Sequence, residues 1–400
     1  MLLRSLDRRW LIALAILAAG VLVYSVFRSA TWTSDFKNPY RVARVFWETG
    51  SLDIRAEPRY PPTIRVLLAP LAALPIGVAA GIWAALSLAA MAALPDAIRR
   101  LSDLSLREQA LPWLAVLTFI LDAFALGQSD PINLFLVTFG LAVARTSRPV
   151  TGAALIGLAG LIKVLPVVFW GVLVARRRVA AALGGALATA AVALILLTVS
   201  AGWGPGIHSV REWIEVLRER EGPWGLVTTR DSSLRENNEA LPVVLARTFG
   251  DLDPTLTRNA VPLTHLPLRA IWGIWLAVLA AMMATWAGCA WSARHASPSR
   301  AWLGMFALTA VMMLMASPLV WPHYFMWLLP ATLFLTHRPR LLVAVLVVGQ
   351  LGMMIPVFRG IGVHTIIALC LFAMVAREIL AQRLPSPARA VQPRRREDPA

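Results

Sequence analysis

The sequence predicts an all-α polytopic membrane protein with about 11–12 transmembrane helices, and three observations predict it. Of 400 residues, 58% are hydrophobic and 15% charged, against about 25% charged in a soluble globular domain. Apolar runs recur along the whole chain; Leu11 to Phe27, Val179 to Ser200 and Ile271 to Trp291 each reach 17 residues or more. A hydrocarbon core of ~30 Å asks for ~20 apolar residues in helical form, and fewer in short or broken helices. The arginines fall between these runs, which is the positive-inside pattern. Backbone groups in lipid must be bonded internally, so helices are the expected element. Continuous apolar runs, not alternating ones, exclude an outer-membrane barrel. The net charge of +16 would suggest a nucleic-acid partner on a soluble protein. Here the arginines between the spans account for it, and no nucleic acid is expected.

Arg4, Arg8 and Arg9 precede a first span at about Trp10 to Phe27 and place the N-terminus in the cytoplasm. Arg28 and Trp32 follow Phe27 without a small-residue cleavage site, so the span reads as an uncleaved helix. An exterior loop covers about 28–62. The stretch from Ile64 to Leu94 exceeds one simple span, and Pro70 and Pro75 divide it into a short entry helix and a span. Arg99, Arg100 and Arg107 mark a cytoplasmic turn; Pro112 to Leu126 then leads out, and Ile132 to Ala144 returns to Arg145 and Arg148. Gly152 to Ala175 begins and ends among arginines with Lys163 and Pro166 in its middle, which fits a hairpin of two short helices. Val179 to Ser200 leads out again, to a second exterior loop at about 201–268.

Trp203 to Leu268 carries seven arginines and nine carboxylates, a weaker basic bias than the cytoplasmic turns. Within it Val210, Trp213, Ile214 and Leu217 share one helical face. That face suits either the membrane surface or the protein's own loops. Further spans are expected near 270–292, 301–316, 320–336, 340–357 and 361–380. Both termini are then cytoplasmic. One transmembrane domain covers 1–383, followed by a disordered tail, 384–400, rich in Pro and Arg. Cys289 and Cys370 lie in apolar spans without metal-ligand spacing and read as packing residues.

Polar residues gather at the exterior ends of the spans. Asp35 follows the first span closely, near Trp32, Phe36 and Tyr40. A carboxylate there suits a general base on a hydroxyl, or a cap for the next helix. Tyr60-Pro61-Pro62 forms a rigid entry to the next segment. Gly127, Gln128, Ser129 and Asp130 form a polar turn, with Asn133 one turn into the next helix. Asp122 lies inside a span, where insertion costs ~2.5–3.5 kcal/mol, and should face protein or an interface. Lys163 is one of two lysines against 36 arginines. It either pairs with a phosphate or snorkels. Ser317, Pro318, Trp321, Pro322 and His323 mark another exterior junction. His323 suits phosphate binding or proton relay, or else belongs to an aromatic-belt turn. There is no Gly-rich phosphate loop, zinc pair or serine elbow. Lys37 stands where an Asp-x-Asp pair would need a second acid, so no metal is expected.

In this order the blocks resemble the multi-spanning GT-C glycosyltransferases, specifically glycosyltransferase family 87. The likeness runs over roughly residues 30 to 335. It rests on Asp35 and Tyr40; Tyr60-Pro61-Pro62 with Pro70, Leu74, Pro75 and Trp83; and Gly127-Gln128 with Asn133. It continues with Gly157 to Lys163 and Pro166, Asn238 to Arg247, and Ser317-Pro318 with Trp321 and His323. The chain has Asn238-Glu239-Ala240 where relatives more often show Asn-Gln-Ser. The resemblance implies inverting, metal-independent transfer of a sugar, typically mannose, from a polyprenyl monophosphate to a glycolipid or lipid-linked glycan. It implies that Asp35 is the base and that Lys163 and His323 lie near the donor phosphate or the reacting centre. Tyr40, Tyr60, Gln128, Asn133, Asn238 and Trp321 would line the substrate groove, on the periplasmic or exterior face. A transporter or lipid flippase and a non-catalytic membrane scaffold are the competing readings. Polar side chains grouped at span ends rather than mid-bilayer weigh against the transporter.

Overall fold

The computed structural model describes residues 34–220, 234–252, 262–294 and 296–381, with isolated residues between 19 and 31. The expected first span is therefore largely outside the described residues, and the 384–400 tail is wholly outside them. Helix dominates the rest; among the described residues the only ladder contact is an isolated bridge between Gly250 and Leu266. Six described helices are long and apolar enough to cross a membrane: Ile76–Ser102, Leu106–Leu126, Val179–Ala201, Leu268–Ser292, Pro298–Ala316 and Val363–Ala381. Four shorter apolar helical segments join them: Thr63–Ala72, Pro149–Ile162, Leu165–Ala175 and Pro339–Met354. The chain is an all-α polytopic membrane protein.

Burial separates the core from the lipid-facing shell. Pro298–Ala316 has 78% of its apolar window buried, against 17% for Val179–Ala201. The first is the axis of the packed bundle. The second exposes Leu183, Leu187, Ile195 and Val199, as a helix against lipid does. Without a hydrophobic drive between helices in lipid, small residues set the close approaches. A Cβ on Gly152 would fall on the Gly140 carbonyl, and one on Gly185 would meet Ala153. These contacts lock Asp130–Arg145, Pro149–Ile162 and Val179–Ala201 side by side.

Of the two prolines expected to divide the 64–94 stretch, Pro75 marks the break and Pro70 lies inside Thr63–Ala72. Thr63–Ala72 and Ile76–Ser102 are separated just before Pro75. Pro149–Ile162 stops before Lys163, and a 3-10 turn at Leu165–Phe169 leads into Trp170–Ala175. The second limb folds back on the first, and the Trp170 indole donates to Ala153 O at 2.9 Å. At the other end Ser105 and Glu108 form a capping box that starts Leu106–Leu126. Arg145 there donates to Leu101 O at 2.8 Å and pairs with Asp103 at 2.9 Å, holding that carboxyl below its usual range.

One expectation changes, and one open alternative is settled. The 320–336 stretch is a 3-10 segment, Pro322–Leu328, running into a short helix, Leu329–Phe334, and both are enclosed by protein. Pro330, midway along this stretch, lacks the N–H a continuous α-helix would need there. The helix Trp203–Arg220 packs on the protein through Trp213 and Val216, while Ile214 remains 43% exposed. The Trp213 indole donates to Pro58 O at 2.8 Å, which turns that register inward.

Candidate active site

The helices place their arginine-rich turns at one end of the bundle and a cavity of about 170 Å³ at the other. Six stretches of chain build its wall: Asp35 and Asn38, Glu57 to Tyr60, Gln128, Lys163 to Leu165, Leu217, and Ser317 to Tyr324.

Asp35 is fixed through the turn after Leu106–Leu126. Gly127 closes that helix at φ +66°, and a Cβ there would lie 2.9 Å from Phe36 Cβ. The close approach lets Asp35 N donate to Leu126 O at 2.9 Å, and lets the Trp83 indole donate to Gly127 O at 3.1 Å. The Gln128 amide then donates to Asp35 Oδ2 at 2.8 Å. Asp35 is not a helix cap: Lys37–Thr49 starts with no side-chain cap bond. Gly127→Ala should strain the left-handed turn and displace Phe36, at about 1–3 kcal/mol. Thermal unfolding of the purified variant in detergent measures this; an unchanged midpoint would show that the turn tolerates a side chain.

Lys163 sits at the hairpin tip with an extended backbone, φ −150° and ψ 127°. Its ammonium turns inward rather than snorkelling. Nζ lies 2.8 Å from Asp130 Oδ2 and 3.9 Å from the Tyr324 ring centroid. Asp130 is itself buried and accepts the Trp327 indole at 2.9 Å. The 14 residues of Pro149–Ile162 span about 21 Å at ~1.5 Å per residue, less than a hydrocarbon core of ~30 Å. The lysine thus marks a floor recessed below the helix ends of longer spans.

The Glu57–Tyr60 wall is held from behind. Buried Arg65 donates to Asp53 O at 3.0 Å and to Glu57 O at 3.1 Å, and the Thr63 hydroxyl donates to Leu161 O at 2.6 Å. Glu57 and Arg59 face one another at 3.8 Å. Burial raises the Tyr60 phenol above its ordinary value, against the opposing pull of Lys163, so it enters the cavity as a neutral donor.

Of the residues singled out in sequence, Asp35, Tyr60, Gln128, Lys163 and Trp321 line this one cavity. Four others stand behind it. The Tyr40 hydroxyl donates to Leu74 O at 2.9 Å. Asn133 is fully buried and donates to Ser129 Oγ at 3.3 Å. Asn238 Oδ1 accepts from Val320 N at 3.0 Å. His323, 1% exposed, has Asp122 at 3.8 Å and no hydrogen-bond partner on either ring nitrogen among the described residues. The sequence reading passed over Asn38, Glu57 and Arg59, which carry no motif. It also gave Asp130 to a tight turn, although its carboxylate is the counter-ion of Lys163.

The described residues thus form a polytopic helical membrane protein with a charged cavity at one end of its helices. Residues 59–318 match the model of glycosyltransferase family 87, more than half the chain, and the chain belongs to that family. It is 30% identical over 290 residues to a polyprenol-phosphate-mannose-dependent alpha-(1-2)-phosphatidylinositol pentamannoside mannosyltransferase of Mycolicibacterium smegmatis. That match covers 70% of this chain and 61% of the relative, so the chain spans about three-fifths of the relative's length. No solved structure matches the chain.

Proposed function

We propose that this protein is an inverting glycosyltransferase that moves a sugar, mannose, from a polyprenyl monophosphate to a hydroxyl of a glycolipid or lipid-linked glycan. The observation that carries this reading is the presence of the Asp35 carboxylate and the Lys163 ammonium in one cavity at the helix ends. A lipid-phosphate sugar has its tail in the bilayer and its reactive carbon at the surface. Its chemistry asks for a base on the acceptor hydroxyl and positive charge at the departing phosphate. Asp35, oriented by Gln128, takes the hydroxyl proton as the acceptor oxygen attacks the anomeric carbon from the face opposite the phosphate. The C–O bond to the phosphate breaks, and the leaving monophosphate keeps the electron pair. Lys163 and Arg59 offset its second charge, a form of stabilisation that belongs among the larger catalytic terms. Tyr60 and Trp321 supply a donor and an aromatic face for the sugar. The proposed transfer is metal-independent.

The arginine-rich turns lie at the end away from the cavity, which supports cytoplasmic turns and an active site on the exterior side. The name of the mycobacterial relative supports mannose on a polyprenol phosphate as donor and a phosphoinositol glycolipid as acceptor. The test is incubation of purified protein with polyprenyl-phosphate-mannose and a membrane lipid extract, followed by mass spectrometry. A glycolipid heavier by one hexose is expected. Its absence, with the donor intact, would defeat the reading. A cysteine placed at position 35 should react with an impermeant reagent from the exterior; labelling only from the cytoplasm would put the carboxylate on the wrong side.

A further inference from the structure

Glu239 and His364 are fully buried and meet across 125 positions of sequence. His364 Nδ1 lies 2.5 Å from Glu239 Oε1, and His364 Nε2 lies 3.0 Å from Gly349 O. A carbonyl only accepts, so Nε2 carries a hydrogen, and the contact with the carboxylate shares one further proton. Glu239 Oε2 accepts the His364 backbone N–H at 3.1 Å, and the Thr365 hydroxyl donates to the Glu239 carbonyl. The side chain and carbonyl of Glu239 are thus clamped to the start of the last helix.

The rest of this segment grips the cavity wall. Glu239 N donates to Val320 O at 2.7 Å, and Val320 N donates to Asn238 Oδ1 at 3.0 Å. Val320 lies between Leu319 and Trp321, and both line the cavity together with Ser317. Ser317–Trp321 joins two helical segments and belongs to neither. Apart from Ser317 N, which donates to Met313 O, its place is set by side-chain bonds and by bonds to the distant Asn238–Glu239 segment. Loss of either partner leaves the other buried and unpaired, which makes the clamp sensitive to substitution at either residue.

We propose that the Glu239–His364 pair positions the Ser317–Trp321 wall, making two residues outside the cavity positioning residues for substrate binding; this rests on the transferase reading above. Loosening the wall weakens binding while leaving the chemistry at Asp35, whose supports come from Leu126 and Gln128.

The first readout needs no activity. In a Cys370→Ser background, a Ser317→Cys thiol should react slowly with maleimide, because Ser317 is buried. Adding Glu239→Ala or His364→Ala should speed labelling about tenfold by raising the open population. Adding Glu239→Gln should not, because its amide can donate to a neutral His364 Nδ1 and its oxygen can keep the backbone contact. The second readout is kinetic, in the chain with its natural cysteines and Ser317. Glu239→Ala should raise the donor KM about tenfold with kcat little changed, and Glu239→Gln should restore it. If Glu239→Ala does not fold, Glu239→Asp, one methylene shorter, replaces it in both measurements. Equal labelling rates in folded variants would overturn the proposal, as would faster labelling with an unchanged KM. Faster labelling in a chain that transfers no sugar would uphold the clamp and defeat the transferase reading instead.

Discussion

Replacing Asp35 by Asn lowers sugar transfer by about 10²–10⁴-fold, the usual contribution of general-base catalysis, and leaves the unfolding midpoint of the protein unchanged. The substitution keeps the size of the side chain. The new amide oxygen still accepts the Gln128 Nε2–H that reaches Asp35 Oδ2 at 2.8 Å. The backbone bond from residue 35 to Leu126 O is untouched. What disappears is the ability to take a proton from the acceptor hydroxyl. Single-turnover transfer from polyprenyl-phosphate-mannose, read beside thermal unfolding in detergent, separates the two effects. Transfer within a few-fold of the natural protein would remove Asp35 from the mechanism. A loss of folding would reduce it to a structural ligand of Gln128.

Lys163→Met produces a different pattern, because Lys163 belongs to a buried pair with Asp130 at 2.8 Å. Removing one partner of such a pair costs about 3–5 kcal/mol, since the other charge is left buried without compensation. Lys163→Met therefore lowers stability and transfer together and is uninformative alone. Adding Asp130→Asn removes the orphaned charge, while the amide oxygen still accepts the Trp327 indole. The double variant should regain most of the lost stability and none of the lost transfer, because positive charge on the cavity floor is still missing. Recovery of both would show that Lys163 serves the fold alone. Chemical unfolding and the transfer rate of the two variants decide between these outcomes.

The pair also shows where reading a sequence stops. Lys163 stood out because a cation amid apolar residues is costly in lipid. Its counter-ion did not, because Asp130 beside Gly127 and Ser129 looks like an ordinary polar turn. The two residues, 33 apart in sequence, meet because Pro149–Ile162 runs back alongside Asp130–Arg145. Asn238 illustrates the opposite case. The family resemblance placed it in the substrate groove; in the fold its carboxamide oxygen accepts backbone N–H groups of Ala240 and Val320. Asn and Asp often satisfy local backbone in this manner, and no spacing rule tells that use from ligand binding. Glu57 and Arg59 went unnoticed for a third reason. They reach the cavity because Arg65 gathers the carbonyls of their loop, and a buried arginine leaves no periodic signal.

The sequence by itself determined the membrane class, the positions of the six long apolar helices, the breaks before Pro75 and at Lys163, and the end of the helices at which polar residues collect. These follow from hydropathy, proline geometry and charge placement, each of which acts over a few residues or along one segment. Tertiary structure alone decided which of those polar residues share a cavity, that Lys163 is paired with Asp130, and that Glu239 is clamped to His364. Such contacts join residues 33 to 125 positions apart. They arise from the packing of small residues between helices and from irregular junctions whose shape no local propensity specifies.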